Sequence, residues 1–374
     1  MNEHPYKSLP DKAFWKRSVA RPDRREVDPV GEFNIRIEQE TKVATAGSCF
    51  AQHIARYLRN SGFCYYVTEP GHPILSEASR VQNNYGLYSA RYGNIYTARQ
   101  LLQLFQRAYG LFTPQEDVWR EADDVFLDPF RPSSQPGGFI SEAEMRADRA
   151  QHLAAVRYMF ETLDVFVFTL GLTECWRSMR DGAVFPICPG VEGGTFDPSR
   201  HQFYNQTTED VIQDLSTFLV HLARVNPKAQ IILTVSPVPL MATAEPGAHV
   251  LSATTYSKSV LRVAAEALRC RYDHVHYFPS YEIITGSYNR GAYYADDLRN
   301  VLEDGVSHVM RLFMHYASER HITNAPAGLK AEAPHILRPT ATARASSNLS
   351  TDAFLIQAQQ LVDVECDEIG LDKE

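Results

Sequence analysis

One serine stands where an α/β protein can use a nucleophile. Ser48 follows the alternating run at 42–46 (KVATA) and Gly47, and it precedes a stretch with helical apolar spacing. A serine at the carboxyl end of a strand, opening a helix, has a backbone amide and the positive helix end beside its hydroxyl. We therefore interpret Ser48 as a nucleophile with a built-in oxyanion donor. An N-cap serine is the structural alternative. Cys49 is a rival nucleophile, because thiolates gain reactivity at helix amino termini.

The five residues at 47–51 read GSCFA. Here the sequence resembles the GSCFA domain family, a branch of the SGNH (GDSL-like) hydrolase superfamily. Further blocks of the family follow in the expected order, and the resemblance covers roughly residues 40 to 316. These blocks are YGNIY (92–96), TLGLTECW (169–176), TVSPVPL (234–240), YSK (256–258) and YFPSYE (277–282).

The resemblance implies roles for two of these blocks. In SGNH-like sites a glycine amide and an asparagine side chain add donors to the oxyanion hole, and these would be Gly93 and Asn94. A Gly-Asn turn explains the same pair without chemistry. Gly171 and Glu174 occupy the place of the Gly-x-Asn-Asp block, with Thr173 where an asparagine donor is expected. Glu174 either holds the site together, contacts a basic partner or is a carboxylate at a helix start.

The general base is the next requirement of such a site. The resemblance implies an Asp-x-x-His motif near the carboxyl end, but Asn300 stands three residues after Asp297. An amide cannot act as general base at neutral pH. The nearest replacement is His308, four residues after Asp304. On a helix over 304–318, Asp304 could orient the imidazole across one turn. We predict His308 as the base, with Asp304 or Asp297 as the orienting carboxylate.

Alternatives to His308 stay open. His201 lies in the aromatic loop HQFYN at 201–205, and His53 lies five residues after Ser48. If none of these three histidines acts, the site has lost its base. A further basic residue, Lys258 of the YSK block, could neutralise an anionic substrate, although a solvated surface lysine is the more common case.

The bulk composition excludes several classes of protein. The chain has 374 residues, a formal net charge of −8 and no long basic run, which argues against a nucleic-acid partner. No segment has the ~18 continuous apolar residues of a membrane helix. The amino terminus lacks the apolar stretch of a secretory signal, so the cytoplasm is the expected compartment. The six cysteines form no CxxC pair and no Gly-rich phosphate loop appears, so we expect neither a metal nor a cofactor.

Strand-like and helical segments alternate along the chain. Apolar runs predict core strands at 42–46, 164–170, 230–236 and 274–278, with a weaker fifth at 63–67. Helical spacing is found at 50–61, 97–110, 141–163, 207–225, 255–271 and 304–318. This alternation predicts a parallel sheet covered on both faces. We expect an α/β fold with three α/β/α layers, flavodoxin-like as in SGNH hydrolases. Its motif blocks should meet in one pocket at the carboxyl ends of the strands.

Three parts are expected along the chain. We predict a polar arm at 1–38 with Phe14 or Trp15 as its anchor, and a GSCFA/SGNH-like catalytic domain at 39–324. A low-complexity tail at 325–374 ends in an acidic amphipathic helix near 351–366. Two insertions, 111–140 and 181–206, are rich in Pro, Gly and aromatic residues, so we expect ordered loops that wall the pocket.

These expectations combine into serine-dependent ester chemistry. Ser48 would attack an acyl carbon, with the oxyanion held by the amides of Ser48 and Gly93 and by Asn94. Water and a sugar hydroxyl are both possible acceptors, so an esterase or deacylase and an O-acyltransferase fit equally. The resemblance implies a bacterial carbohydrate or cell-envelope polysaccharide, or another small acyl ester, as substrate. Two other classes stay open: a ligand-binding module that has lost its base, and a scaffold that acts through the tail helix.

Overall fold

The structure is a computed structural model that describes residues 4–48, 50–121 and 124–318. The strands, in chain order, are β1 (Val43–Gly47), β2 (Trp119–Arg120), β3 (Phe126–Leu127), β4 (Val165–Leu170), β5 (Glu174–Ser178), β6 (Val184–Phe185), β7 (His201–Asn205), β8 (Gln230–Val235) and β9 (Val275–Tyr277). The α-helices are α1 (Phe50–Asn60), α2 (Glu77–Gln82), α3 (Ala98–Ala108), α4 (Glu142–Thr162), α5 (Thr208–Val225), α6 (Val250–Arg271), α7 (Ser280–Thr285) and α8 (Glu303–Ala317).

A parallel sheet with the strand order β1-β4-β8-β9 forms the centre of the molecule. In its register, Gly47 lies opposite Thr169, and Thr169 lies opposite Thr234. The predicted fifth strand is reduced to one parallel bridge between Tyr65 and Val43, on the side of β1 away from β4. Counting that segment as a strand gives the flavodoxin-like order 2-1-3-4-5.

Both faces of this sheet are covered by helices. Side chains alternate along a strand, so Phe166 and Phe168 of β4 face one apolar cluster while Val165 and Val167 face another. Helices α3, α4, α5 and α6 supply the first cluster, and α1, α7 and α8 supply the second. The three-layer α/β/α fold predicted from the sequence is therefore confirmed.

The long helices lie close to their predicted positions. Five of the six begin and end within two residues of the expected bounds, and α6 begins five residues earlier, at Val250. Local chemistry explains some of these ends. Thr207 and Asp210 form a capping box at the start of α5. The helices α2 and α7 are only six residues long and were not predicted.

An antiparallel sheet in the order β6-β5-β7 was also not predicted. Only three residues separate its strand β5 from the end of β4. Strand β7 pairs along the whole of β5, from Glu174 opposite Asn205 to Ser178 opposite His201. The hydrogen bond from the Gln206 amide to the Thr173 carbonyl returns the chain to the end of the parallel sheet. This sheet therefore stands over the carboxyl ends of the central strands.

The segment before β1 packs on the second face of the sheet. Val30, Phe33 and Ile37 are buried there, and the Ile37 amide donates to the Ala317 carbonyl at 2.6 Å. Of the two expected anchors of the arm, Trp15 is 69% exposed and Phe14 is half-buried, whereas Phe33 is buried. The predicted tail and its helix near 351–366 lie outside the described residues. Within the described part of the chain, no helix is long and apolar enough to span a bilayer.

A buried ion network joins the insertion 111–140 to α4. Arg131 and Arg149 donate to the same oxygen of Asp128, at 2.9 and 3.0 Å. Asp128 is 1% exposed. Burial acts to raise its pKa, but the charges of Arg131, Arg107 and Arg149 outweigh it, and the pKa lies well below its ordinary range.

Candidate functional site

Ser48 lies directly after β1, at the carboxyl end of the sheet. Gly47 has φ 138°, and a Cβ at this position would lie 2.3 Å from the main-chain oxygen of Thr169, so the close approach requires glycine. The Ser48 amide donates to the same Thr169 oxygen at 3.2 Å. Main-chain contacts between β1 and β4 therefore place the serine, which is 4% exposed.

The Ser48 hydroxyl has no hydrogen-bond partner among the described residues. The amide of Ala51, from which an N-cap hydroxyl would accept, donates instead to the Ser48 main-chain oxygen at 2.8 Å. The N-cap role is therefore not what the structure shows. A buried hydroxyl without a partner costs about 1–3 kcal/mol. A ligand that hydrogen-bonds to it removes that cost.

Ser48 lines a cavity of about 320 Å³, which we call the Ser48 cavity. The ends of β1, β4 and β8 and the turn before α8 contribute to it, in the crevice where parallel sheets bind ligands. The lining residues are Ser48, Tyr96, Gly171, Leu172, Ser236, Val238, Pro239, Leu240, Met241 and Arg299.

Among the described residues of this lining, Arg299 is the one charged side chain, and no histidine, aspartate or glutamate is present. Arg299 belongs to the turn that carries Asp297 and Asn300. Asp297 accepts from the amides of Arg299 and Asn300, both at 3.0 Å, and from the Asn300 side chain at 2.7 Å. Burial acts to raise the pKa of Asp297, but these donors outweigh it and the pKa is lowered. The Asn300 side chain thus pairs with Asp297, and an amide does not supply a base.

Gly93 and Asn94 line a neighbouring cavity of about 480 Å³ and not the Ser48 cavity. Tyr96 borders both cavities. Gln100 holds this segment: its side-chain oxygen accepts from the Tyr96 amide at 2.9 Å, and its side-chain nitrogen donates to the Asn94 carbonyl at 2.9 Å. Of the YGNIY block, the structure therefore brings Tyr96 to Ser48.

The YSK block clamps the loop that follows β4. The Lys258 ammonium donates to the Gly171 carbonyl at 2.7 Å, and the Ser257 hydroxyl accepts from the Thr173 amide at 3.0 Å. Lys258 is 1% exposed, so the expectation of a solvated surface lysine is wrong. It is buried because α6 packs directly behind the loop that ends β4. Ser257 and Lys258 therefore support the loop after β4, whereas Tyr256 of the same block is exposed.

Three described main-chain amides near Ser48 have acceptors within the protein. The Gly171 and Leu172 amides both donate to the Tyr96 carbonyl, at 3.1 and 2.9 Å. The Ser48 amide, expected to hold an oxyanion, donates to Thr169. The polar side chains that the described lining offers an acyl oxygen near these amides include the Ser48 hydroxyl and the Arg299 guanidinium.

Glu174 holds two parts of the site together. It begins β5, so the interpretation as a helix-start carboxylate is wrong. One carboxylate oxygen accepts from the Thr243 hydroxyl at 2.7 Å, and the other accepts from the Ala244 amide at 3.3 Å. The residue therefore fastens the loop after β8 to the antiparallel sheet. Thr173, in the place of the expected asparagine, donates its hydroxyl to the Asn205 side-chain oxygen at 2.7 Å.

His308 is buried on α8 and does not line the Ser48 cavity. Its Nδ1 lies 2.8 Å from the Tyr293 hydroxyl. Burial, assisted by the positive charge of Arg311, lowers the pKa of His308 to about 4. A neutral imidazole enclosed in this way packs the second face of the sheet.

Asp304 binds the arm rather than His308. Its two oxygens accept from Arg24 at 3.1 Å and from Arg25 at 3.0 Å. Among the described residues it makes no hydrogen bond to His308. Asp304 and His308 therefore lie on one helix, but they do not form a pair. Neither of them lines the Ser48 cavity.

His201 lies in the antiparallel sheet, at the start of β7, and is 3% exposed. Its Nδ1 accepts from the Asp197 amide at 3.0 Å, and its Nε2 lies 3.1 Å from a Glu116 oxygen. These contacts join the two insertions. His201 does not line the Ser48 cavity.

A second, larger cavity opens beside the Ser48 cavity. It measures about 920 Å³, including space open to solvent, and we call it the apolar cleft. Tyr96, Leu172 and Leu240 line both cavities. Residues of the predicted insertion 181–206 form much of its wall, as expected from their aromatic content. Large apolar side chains of the cleft include Trp176, Phe185, Ile187 and Phe203.

The site offers a hydroxyl, an arginine and an apolar cleft, and this set suits the recognition of an acyl group with a polar head. Within the described ranges, no cluster of three or more His, Cys, Asp or Glu side chains is placed to hold a metal ion.

Sequence reasoning did not single out Tyr96 and Arg299 as site residues. Tyr96 closes the block that the resemblance quotes for Gly93 and Asn94, and Arg299 lies between Asp297 and Asn300. Each is thus the neighbour of a residue that was named. The sequence did not indicate which residue of each turn would lie at the carboxyl ends of the strands.

Comparison with known families identifies the family of the chain. The model of the GSCFA family matches residues 42–313, which is most of the chain, and the chain therefore belongs to that family. None of the curated proteins matches the sequence significantly.

Proposed function

We propose that this member of the GSCFA family binds an acyl compound with its carbonyl or carboxylate head in the Ser48 cavity. The observation that carries the proposal is the buried Ser48 hydroxyl, which has no partner among the described residues and lines a cavity at the strand ends. Buried polar groups are nearly always hydrogen-bonded, so such a hydroxyl in a cavity suits a ligand oxygen.

The charge of the cavity favours a head group rich in oxygen. Arg299 lines the cavity with Ser48, and its positive charge also acts on Asp297, a carboxylate outside the described lining. A hydrogen bond from a hydroxyl or a guanidinium to a carboxylate is stronger than one between neutral groups. Free carboxylates and ester carbonyls both fit this description.

Binding without turnover is consistent with the lack of a general base in the described lining of the cavity. Nucleophilic attack by a serine needs a group that takes its proton. The described lining has no such group, and the Asp-x-x-His position holds Asn300. We therefore infer that Ser48 acts as a binding residue.

Serine-dependent ester chemistry is the second candidate, as esterase, deacylase or O-acyltransferase, with an SGNH-like mechanism. The observation that favours it is the position of Ser48 between a strand end and α1, where a nucleophile belongs. A saccharide or cell-envelope polysaccharide ester is the substrate class that goes with it, and the cytoplasm is the proposed compartment.

The test combines binding and labelling on the full chain. Calorimetry with octanoate should show binding to the wild type and at least about tenfold weaker binding to Ser48→Ala, since a hydrogen bond to a charged group contributes about 1.5–3 kcal/mol. Ser61→Ala, at an exposed serine outside the cavity, should bind as the wild type does. Equal affinity of the wild type and Ser48→Ala would overturn the proposal.

Intact-mass spectrometry after a fluorophosphonate probe separates the two candidates. We expect no label on the wild type and a label on Asn300→His, because that change places an imidazole beside Asp297. A label on the wild type that is lost in Ser48→Ala would establish the ester chemistry instead. Loss of that label in His308→Ala as well would assign the base to His308 despite its position.

A further inference from the structure

We propose that the apolar cleft takes the hydrocarbon chain of the acyl ligand whose head lies at Ser48. The inference rests on the proposed function and adds the ligand's class: a medium-length or longer acyl chain. Its first support is continuity, because Tyr96, Leu172 and Leu240 line both cavities. A chain that leaves the head group can therefore enter the cleft along side chains that the two spaces share.

The walls of the cleft are apolar where a chain would lie. Trp176, Phe185 and Phe203 contribute aromatic surface. Two cysteines also line it, and burial raises the pKa of Cys175 to about 12 and that of Cys188 to about 11. Both thiols are therefore neutral and act as small apolar groups.

Two polar side chains on the wall, Glu174 and Gln100, already have hydrogen-bond partners within the protein. Glu174 accepts from the Thr243 hydroxyl and the Ala244 amide. Gln100 exchanges two hydrogen bonds with the segment 94–96. A hydrocarbon in the cleft therefore leaves none of these groups without a partner, whereas a saccharide would find few of them available.

The relative sizes of the cavities set the shape of the ligand. Counting space open to solvent, the Ser48 cavity measures about 320 Å³ and the cleft about 920 Å³. A small head with a large tail fits this division. An acetyl group would leave nearly all of the cleft unfilled, and unfilled apolar surface contributes nothing to affinity.

The experiment is calorimetry of the full chain with straight-chain carboxylates from butanoate to dodecanoate, each below its micelle-forming concentration. Each methylene that enters the cleft should tighten binding about fourfold. Ala242→Phe places a ring in the cleft from an exposed lining position. It should weaken dodecanoate binding at least about tenfold and leave butanoate within about twofold.

Ala248→Phe is the matched control, because Ala248 is exposed on the same loop and does not line the cleft. It should behave as the wild type. Affinity that does not rise with chain length, or an Ala242→Phe profile equal to that of Ala248→Phe, would overturn the inference.

Alcohols of the same lengths separate this inference from the proposed function. In one outcome, affinity rises with chain length, carboxylates and alcohols bind equally well, and Ser48→Ala binds as the wild type does. This result would support the cleft as the chain site and contradict the head-group site. If carboxylates bind through Ser48 with no dependence on length, the head-group site stands and the cleft fails.

Discussion

The position of Ser48 depends most directly on Gly47. We expect Gly47→Ala to lower the free energy of unfolding by more than about 3 kcal/mol, because a positive φ and a backbone clash act together. The new Cβ would meet the Thr169 main-chain oxygen at 2.3 Å. Urea unfolding at neutral pH measures the effect.

Gly62→Ala is the control for this prediction. Gly62 has φ 78°, but a Cβ there meets nothing within 4 Å. Gly62→Ala should lower the free energy of unfolding by only about 1–2 kcal/mol, the cost of backbone strain alone. Equal losses at the two glycines would contradict the close approach between β1 and β4.

The chemistry of single residues could be predicted only in part. Ser48 was found because the end of a strand and the start of a helix leave a local pattern in the sequence. Lys258 was misjudged because its burial depends on α6 packing behind a loop about 87 residues away in the chain. The spacing of Asp304 and His308 fits one helix turn, but their side chains bind the arm and Tyr293 instead.

At the scale of elements, α6 supports the loop after β4. We expect Ser257→Ala to destabilise the protein by about 1–3 kcal/mol, because the buried Thr173 amide loses its acceptor. Hydrogen exchange at the Thr173 amide should become faster in the same variant. Urea unfolding and exchange followed by mass spectrometry measure the two effects.

Ser259→Ala is the control, because it changes a serine of α6 that lies outside the YSK block. Ser259 is exposed, and its hydroxyl donates to the Thr255 carbonyl within α6. Stability should change by less than about 0.5 kcal/mol. If Ser257→Ala behaves like Ser259→Ala, the clamp does not support the loop.

Some elements are marked by a periodic pattern of apolar residues in the sequence, and others are not. The core strands and the long helices repeat apolar residues at a fixed period, so most of the central fold could be predicted. The strands β5, β6 and β7 have two to five residues each. Their pairing joins segments across the insertion, and no short-range period marks it.

At the scale of the whole molecule, acid should act through the buried network around Asp128. The folded pKa of Asp128 is depressed, so its contribution to stability is present above its unfolded pKa of about 3.9. That contribution is lost as the pH falls toward the lower folded value. The free energy of unfolding should therefore fall below about pH 4, as measured by urea unfolding across a pH series.

Asp128→Asn should cost about 3–5 kcal/mol at pH 7, because it leaves buried guanidinium groups without their carboxylate. Its stability should also vary less with pH below about 4 than that of the wild type. Asp124→Asn, at an exposed pair with Arg120, should change stability by less than about 1 kcal/mol. A pH profile for Asp128→Asn that matches the wild type would remove this network from the acid response.

The register of the parallel sheet determines where the residues of the site lie relative to one another. Gly47 stands opposite Thr169, and Thr169 opposite Thr234, so the residues that follow these strands are aligned without help from a loop. A slip of one residue would turn every side chain of a strand to the other face. Ser48 would then leave the cavity, and the phenylalanines of β4 would leave their cluster. A misaligned site is thus also a misfolded core, so folding itself selects the molecules in which the serine is correctly placed.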